Sequence, residues 1–215
     1  MLIIMRKWGV MMERMIQVIY SVFIWMVRLS FLNILWILFT MLGFIIFGIG
    51  PATTSVFAVV RKWIMSSDDV PIFRTFWKSY RSEFKHSNII SLLLTFIGVL
   101  LYIHYFYLTR VDGLILNIMM FGFLSMLIIY LLVLVFIFPV IAHFHLKLIQ
   151  YIKYAVILSF SFPHISFFMF VAIIAHYLII VMFPAYLPFF SVSTLSFSIM
   201  WLAKQAFSKI NSSSI

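Results

Sequence analysis

Apolar residues run through this chain in blocks of about twenty, broken by short clusters that hold nearly all of the charge. Stretches such as Leu29 to Gly50 and Leu114 to Ala142 reach the roughly 20 residues that a helix needs to cross a hydrocarbon core about 30 Å thick. The pattern predicts an all-α polytopic transmembrane bundle in a single membrane domain, 1–215. Six spans are expected, at 29–47, 51–65, 89–106, 114–140, 155–182 and 187–203. Over 1–27, Arg6, Lys7 and Arg14 alternate with Trp8, Met11, Met12, Met15, Ile16 and Ile19. That alternation predicts an interfacial helix leading into the membrane, or the lower end of a long first span. No small-residue cleavage site interrupts the run, so the first span is expected to be retained.

Breakers divide the blocks. In Gly48-Ile49-Gly50-Pro51-Ala52, glycine ends a helix at positive φ and proline opens the next. The second helix, 51–65, has only about 15 residues and a reach of about 23 Å. Its crossing follows from parity, because only then do the N-terminal charges and those of 61–85 share a side. Pro163 is expected to kink the fifth span, while Pro184 and Pro188 frame an uncharged outer turn. Asn211 to Ser214 reads as a short frayed tail.

The one sizeable polar segment is 66–87. Ser66, Ser67, Asp68 and Asp69 precede Pro71, a cap and first turn. Beyond them Phe73, Phe76, Trp77, Tyr80 and Phe84 recur every three or four residues, with Arg74, Lys78, Arg81 and Lys85 interleaved. An amphipathic cytoplasmic helix near 70–85 is expected, lying on lipid or docked against a protein partner.

Composition agrees: 66% of residues are hydrophobic, 9% are charged and mean hydropathy is +1.20, whereas soluble domains carry about 25% charged residues. A net charge of +10 sits here in loops beside spans. It points to positive-inside topology and contact with anionic headgroups, not to nucleic acid. Both termini are expected in the cytoplasm of a bacterial cell, with the chain in its plasma membrane. The five acids, Glu13, Asp68, Asp69, Glu83 and Asp112, all fall in ends or loops, so no carboxylate in a span serves a proton or ion relay. Cysteine is absent, which removes disulfides, thiolate nucleophiles and Cys metal sites.

Few residues invite chemistry. His176 lies inside the fifth span, where a neutral imidazole bonds a helix partner or a water. Asn33 and Trp36 share a face of the first span, and Asn33 is expected to hydrogen-bond a neighbouring helix. Thr53, Thr54 and Ser55 give the second helix a small polar face for packing or for a substrate path. His143 and His145 are two apart and point to different sides of a helix, which disfavours a metal. His104 joins Tyr102, Tyr105 and Tyr107 in an aromatic belt. No nucleophile elbow, HExxH, Walker A or paired carboxylate is present, so the expectation is a non-enzyme without cofactor or metal.

Several motifs occur together: Asn33-Ile34-Leu35-Trp36, Gly50-Pro51-Ala52-Thr53, Val60-Arg61-Lys62, Phe76, Phe84-Lys85, Phe138-Pro139 and Lys153-Tyr154-Ala155. In these the chain resembles the YesL-like family of bacterial membrane proteins, a domain of unknown function. The resemblance implies a helper component beside the permease of a carbohydrate ABC importer in Gram-positive bacteria, including systems that handle plant-polysaccharide fragments. It carries over no catalytic or binding residues. Two other classes stay open. One is a small autonomous transporter or channel with Asn33, Thr53, Thr54 and His176 along its path. The other is a lipid-associated structural protein. Homo-oligomerisation is undetermined by the sequence.

Overall fold

The computed structural model describes residues 2–66, 69–108, 110, 112–144 and 146–213, with side chains from Met12 to Lys209. Seven α-helices occupy the described residues: α1 (Leu2–Leu42), α2 (Ile49–Met65), α3 (Ile72–Leu108), α4 (Leu114–His143), α5 (Leu148–Ser161), α6 (Pro163–Met182) and α7 (Tyr186–Ser213). Five of them, α1 from Met12, α3, α4, α6 and α7 to Lys209, are long and apolar enough to cross a membrane. The chain is a polytopic helical membrane protein.

Several expected boundaries move, each for a local reason. The interfacial helix 1–27 and the span 29–47 form one helix, because nothing between them breaks it and Arg28 is neutralised in place by Asp69 at 2.7 Å. That helix ends at Leu42, earlier than expected. The following turn puts Phe44 (φ 52°) and Ile45 (φ 64°) in the left-handed region, while Gly48 keeps an ordinary φ of −92°. The glycines there serve close approach instead: a Cβ on Gly48 would lie 2.2 Å from the Thr40 carbonyl oxygen. A β-branched residue at positive φ costs on the order of 1–3 kcal/mol, which the surrounding turn must offset.

The amphipathic helix near 70–85 and the span 89–106 are likewise one helix, α3, of 37 residues. Polarity changes sharply near Asn88, but no proline or glycine lies between Ile72 and Phe96 to stop the ladder. At Pro163 the opposite happens. The fifth span is severed there, not kinked, into α5 and α6, with Pro163 in the first turn of α6 where its missing N–H costs nothing. α7 continues through the expected tail to Ser213. The expected cap residues Ser67 and Asp68, together with Thr109, His145 and the side chains of Arg6, Lys7, Trp8, Met11 and Asn211 to Ser214, lie outside the described residues.

α2 sits at the centre, enclosed by α1, α3, α4 and α7. From Gly50 to Val60 only Thr53 and Ala58 keep partial exposure. With 17 residues it reaches only about 25 Å, so it is not among the five helices that are long and apolar enough to cross a membrane by themselves. Phe57 stacks on Phe138 of α4 at 6.2 Å, and fully buried Phe76 of α3 meets Phe39 of α1 at 5.1 Å. Apolar burial alone does not drive association inside lipid, so close approach through small residues carries the contact. α2 supplies Gly50, Ala52, Thr54 and Ser55; α3 answers with Ser87 and Ser91, and a Cβ on Gly50 would lie 2.3 Å from the Ser91 hydroxyl.

Candidate functional site

Tertiary links gather scattered basic residues at one end of the bundle. Arg28 pairs with Asp69 at 2.7 Å, and the Lys204 ammonium donates to the Ile64 carbonyl at 3.0 Å. Arg61 donates through Nη1 to the His143 carbonyl at 3.0 Å, and Lys209 lies 5.7 Å over the Phe162 ring. The turn bearing Arg110 and Asp112 joins the other ends of α3 and α4. Both termini of α5 meet the basic end, since Tyr151 donates to the Phe144 carbonyl at 3.3 Å and Phe162 lies beneath Lys209. Burial raises the pKa of Tyr151, with a smaller push from Glu83, opposed by the hydrogen bond from the Leu146 N–H.

A polar cleft of about 180 Å³ opens at this end between α2, α3 and α4. Arg61 and Lys62 come from the last turns of α2. Thr75, Lys78, Ser79, Ser82 and Glu83 follow the three- and four-residue spacing of one α3 face, and Ile141 and Ala142 of α4 close the back. The Lys62 ammonium reaches the Thr75 hydroxyl at 3.4 Å, and Glu83 meets His86 at 3.5 Å. Arg28 with Asp69 and His86 with Glu83 are the ion pairs among the described residues, so no carboxylate pairs with Arg61, Lys62 or Lys78. Three cations and three hydroxyls therefore line a half-open cleft that holds one carboxylate, and most of them share the α3 face of Glu83. Its chemistry is that of anion binding. Among the described residues no group of three or more His, Asp or Glu converges as a metal site.

The other residues singled out by the sequence lie elsewhere, mostly engaged in holding helices together. Asn33 is buried against α7. Its amide donates to the Leu187 and Pro188 carbonyls at 3.3 and 2.7 Å and accepts from the Val192 and Ser193 N–H groups at 2.9 and 3.3 Å. One side chain thus grips the backbone of a whole turn. Trp36 donates through Nε1 to the Thr53 hydroxyl at 3.0 Å, and the Thr54 hydroxyl lies 2.8 Å from that of Ser87. Pro51, Ala52 and Pro139 are buried as packing surface. His176 faces the Tyr186 hydroxyl at 3.5 Å, and that hydroxyl also meets Thr194. His143 stacks on Phe207 at 4.4 Å, and His104 on Phe123 at 5.8 Å.

Phe76 and Tyr80 turn inward onto Phe39, so two of the five aromatics expected to meet lipid or a partner are covered by the chain itself. Trp77, Phe84 and Lys85 stay exposed along a separate groove of about 660 Å³. Sequence reasoning missed Thr75, Ser79, Ser82 and Glu83 as cleft residues. Their spacing on one face of a helix was visible, but the helix that faces them was not.

The family model described as "Protein of unknown function, DUF624" matches residues 29–105, the stretch from the middle of α1 to near the end of α3. Three Bacillus subtilis proteins, each described only as uncharacterized, are similar over most of their length. YteU is 36% identical over 80% of this chain and 78% of its own, and YesL is 30% identical over 85% and 86%. YesV is 30% identical over 85% and 88%. No solved structure matches. The chain belongs to the DUF624 family.

Proposed function

We propose, from that kinship, that this chain is a non-enzymatic accessory subunit in a Gram-positive plasma membrane, bound to the permease of a carbohydrate ABC importer. One observation carries the reading: the residues named for a solute path, Asn33, Thr53, Thr54 and His176, are turned to other helices, although His176 Nε2 and the buried Asn88 amide have no hydrogen-bond partner among the described residues. Asn33 is spent on α7, Thr53 on Trp36, Thr54 on Ser87, and His176 faces Tyr186. A bundle interlocked in this way supports a scaffold that acts by binding and weighs against an autonomous transporter or channel. The exposed edge of Trp77, Phe84 and Lys85 offers the contact surface, with aromatic anchors beside a positive charge. A purely lipid-associated structural role would use the same edge but predicts no protein partner.

The proposed topology has both termini and the basic end in the cytoplasm. It is supported by the alternating helix directions, with α2 completing the hairpin begun by α1 inside a ring of neighbours that spare it from lipid. Because the chain has no cysteine, single cysteines report sidedness directly. Lys78→Cys and Lys204→Cys are expected to resist a membrane-impermeant maleimide in intact cells, while Arg110→Cys reacts. Labelling of position 78 from outside overturns the topology.

Association is tested by co-expression with candidate permease subunits and purification in mild detergent. Stoichiometric recovery of the permease is expected, with recovery reduced by Trp77→Ala combined with Lys85→Glu. A chain that runs alone, under conditions that keep the permease complex together, defeats the proposal.

A further inference from the structure

We infer that the cleft between the end of α2 and the first half of α3 is a binding site for a phosphate-bearing anion, held by Arg61, Lys62 and Lys78 with hydroxyls from Thr75 and Ser79. The inference stands apart from any association with a permease.

Arg61 carries a charge with no carboxylate paired to it among the described residues. Arg61 is half-buried, and its guanidinium meets one neutral acceptor, the His143 carbonyl at 3.0 Å. A partly desolvated cation ordinarily takes a counter-ion. Arg28, on the same bundle end, has one in Asp69; among the described residues Arg61 has none. Lys62 and Lys78 open onto the same cleft and are likewise without a carboxylate partner among the described residues. Glu83, the single acid in the lining, is engaged with His86 and lowers the local charge without cancelling it.

The donor set then selects the anion. A guanidinium with five N–H groups and one carbonyl partner keeps a fork free for two oxygens. Two ammonium groups supply point charge, and the Thr75 and Ser79 hydroxyls add neutral donors from the α3 face that bears Lys78, whereas the Ser82 hydroxyl donates to the Ser79 carbonyl at 3.2 Å. That arrangement suits a tetrahedral group with several oxygens better than a planar carboxylate. The space agrees. About 180 Å³ equals roughly six waters at about 30 Å³ each, enough for one phosphate group with some of its hydration. The group can belong to free phosphate, a small phosphate ester or a phospholipid headgroup, and the test separates these sources.

Full-length protein in a nonionic detergent is titrated with inorganic phosphate, following the melting midpoint and the heat of binding. The same protein is placed in nanodiscs of phosphatidylcholine alone or with phosphatidylglycerol, and retained phosphatidylglycerol is counted by mass spectrometry. Two double variants are compared, Lys62→Gln with Lys78→Gln in the cleft and Arg74→Gln with Arg81→Gln on exposed α3 positions outside it. Both remove two charges from exposed side chains, so neither disturbs the buried packing or the Arg61 contact. A rise in melting midpoint with phosphate is expected, with affinity at least tenfold weaker in the cleft variant and within twofold of wild type in the control. If inorganic phosphate is silent but phosphatidylglycerol is retained and lost only in the cleft variant, the source is a headgroup. If neither probe separates the two variants, the site does not exist.

Discussion

Along α3, residues 72–91 and residues 92–108 belong to one unbroken helix yet meet different surroundings. The first part lies against α2. Thr75, Phe76, Tyr80, Ser87 and Ile90 are buried there, and the Ser87 hydroxyl and the Ser91 side chain close on Thr54 and Gly50. Its outward face carries Arg74, Lys78, Arg81 and Lys85. The second part exposes Leu92, Leu93, Phe96, Val99, Leu100 and Tyr102, and turns only Leu94, Leu101 and Leu108 fully inward. In the first part each buried position is constrained by a particular neighbour. In the second, most positions need only be apolar, because a lipid chain accepts one large aliphatic or aromatic side chain as readily as another.

Four substitutions would break or sharpen that contrast, each read as a change in unfolding free energy in mixed micelles. Phe76→Ala empties a fully buried site between α1 and α3 and is expected to cost about 3–5 kcal/mol. Gly50→Val drives a side chain into Ser91 and the Ser87 carbonyl, which a Cβ would approach to 2.3 and 2.9 Å; a loss of about 1–3 kcal/mol is expected. Partial recovery in Gly50→Val with Ser91→Gly would locate the clash on that pair. Asn33→Ala frees two carbonyls and two N–H groups of α7, with an expected loss of about 0.6–2 kcal/mol in a membrane setting. Phe96→Ala, at a side chain 61% exposed, should stay within about 0.5 kcal/mol. A Phe96 effect matching that of Phe76 would show that the second part of α3 is covered by protein, and the contrast would collapse.

Part of this was open to inspection in the sequence. The apolar blocks gave the membrane class, and clustered basic residues marked the ends that share a side. The motifs Asn33 to Trp36 and Gly50 to Arg61-Lys62 drew attention to the helices that make the core. The joins were harder to see. A change from charged to apolar pattern near Asn88 looks like a boundary between elements, yet hydrogen bonding continues through any stretch that lacks a breaker. Gly48 looked like the left-handed residue of a turn, but Phe44 and Ile45 take that conformation because Gly43 and Gly48 are needed for contact with each other and with Thr40. The cleft was hidden for a similar reason. Lys62 and Thr75 are 13 residues apart, and Arg61 reaches a carbonyl 82 residues away. Spacing along one helix says nothing about what faces it.

The sequence alone determined the solvent of this protein, because a chain 66% hydrophobic cannot cover itself with polar groups and must place its helices in lipid. It also determined the basic end, since lysines and arginines near spans collect where they stay hydrated. Only the tertiary structure decided which polar groups are consumed and which are left over. Asn33, Thr53 and Thr54 have their hydrogen bonds met by other helices, whereas Arg61, Lys62 and Lys78 converge with no carboxylate paired to them among the described residues. Hydrophobicity is a property of each residue by itself, but the satisfaction of a polar group depends on what another part of the chain brings within 3 Å or so of it.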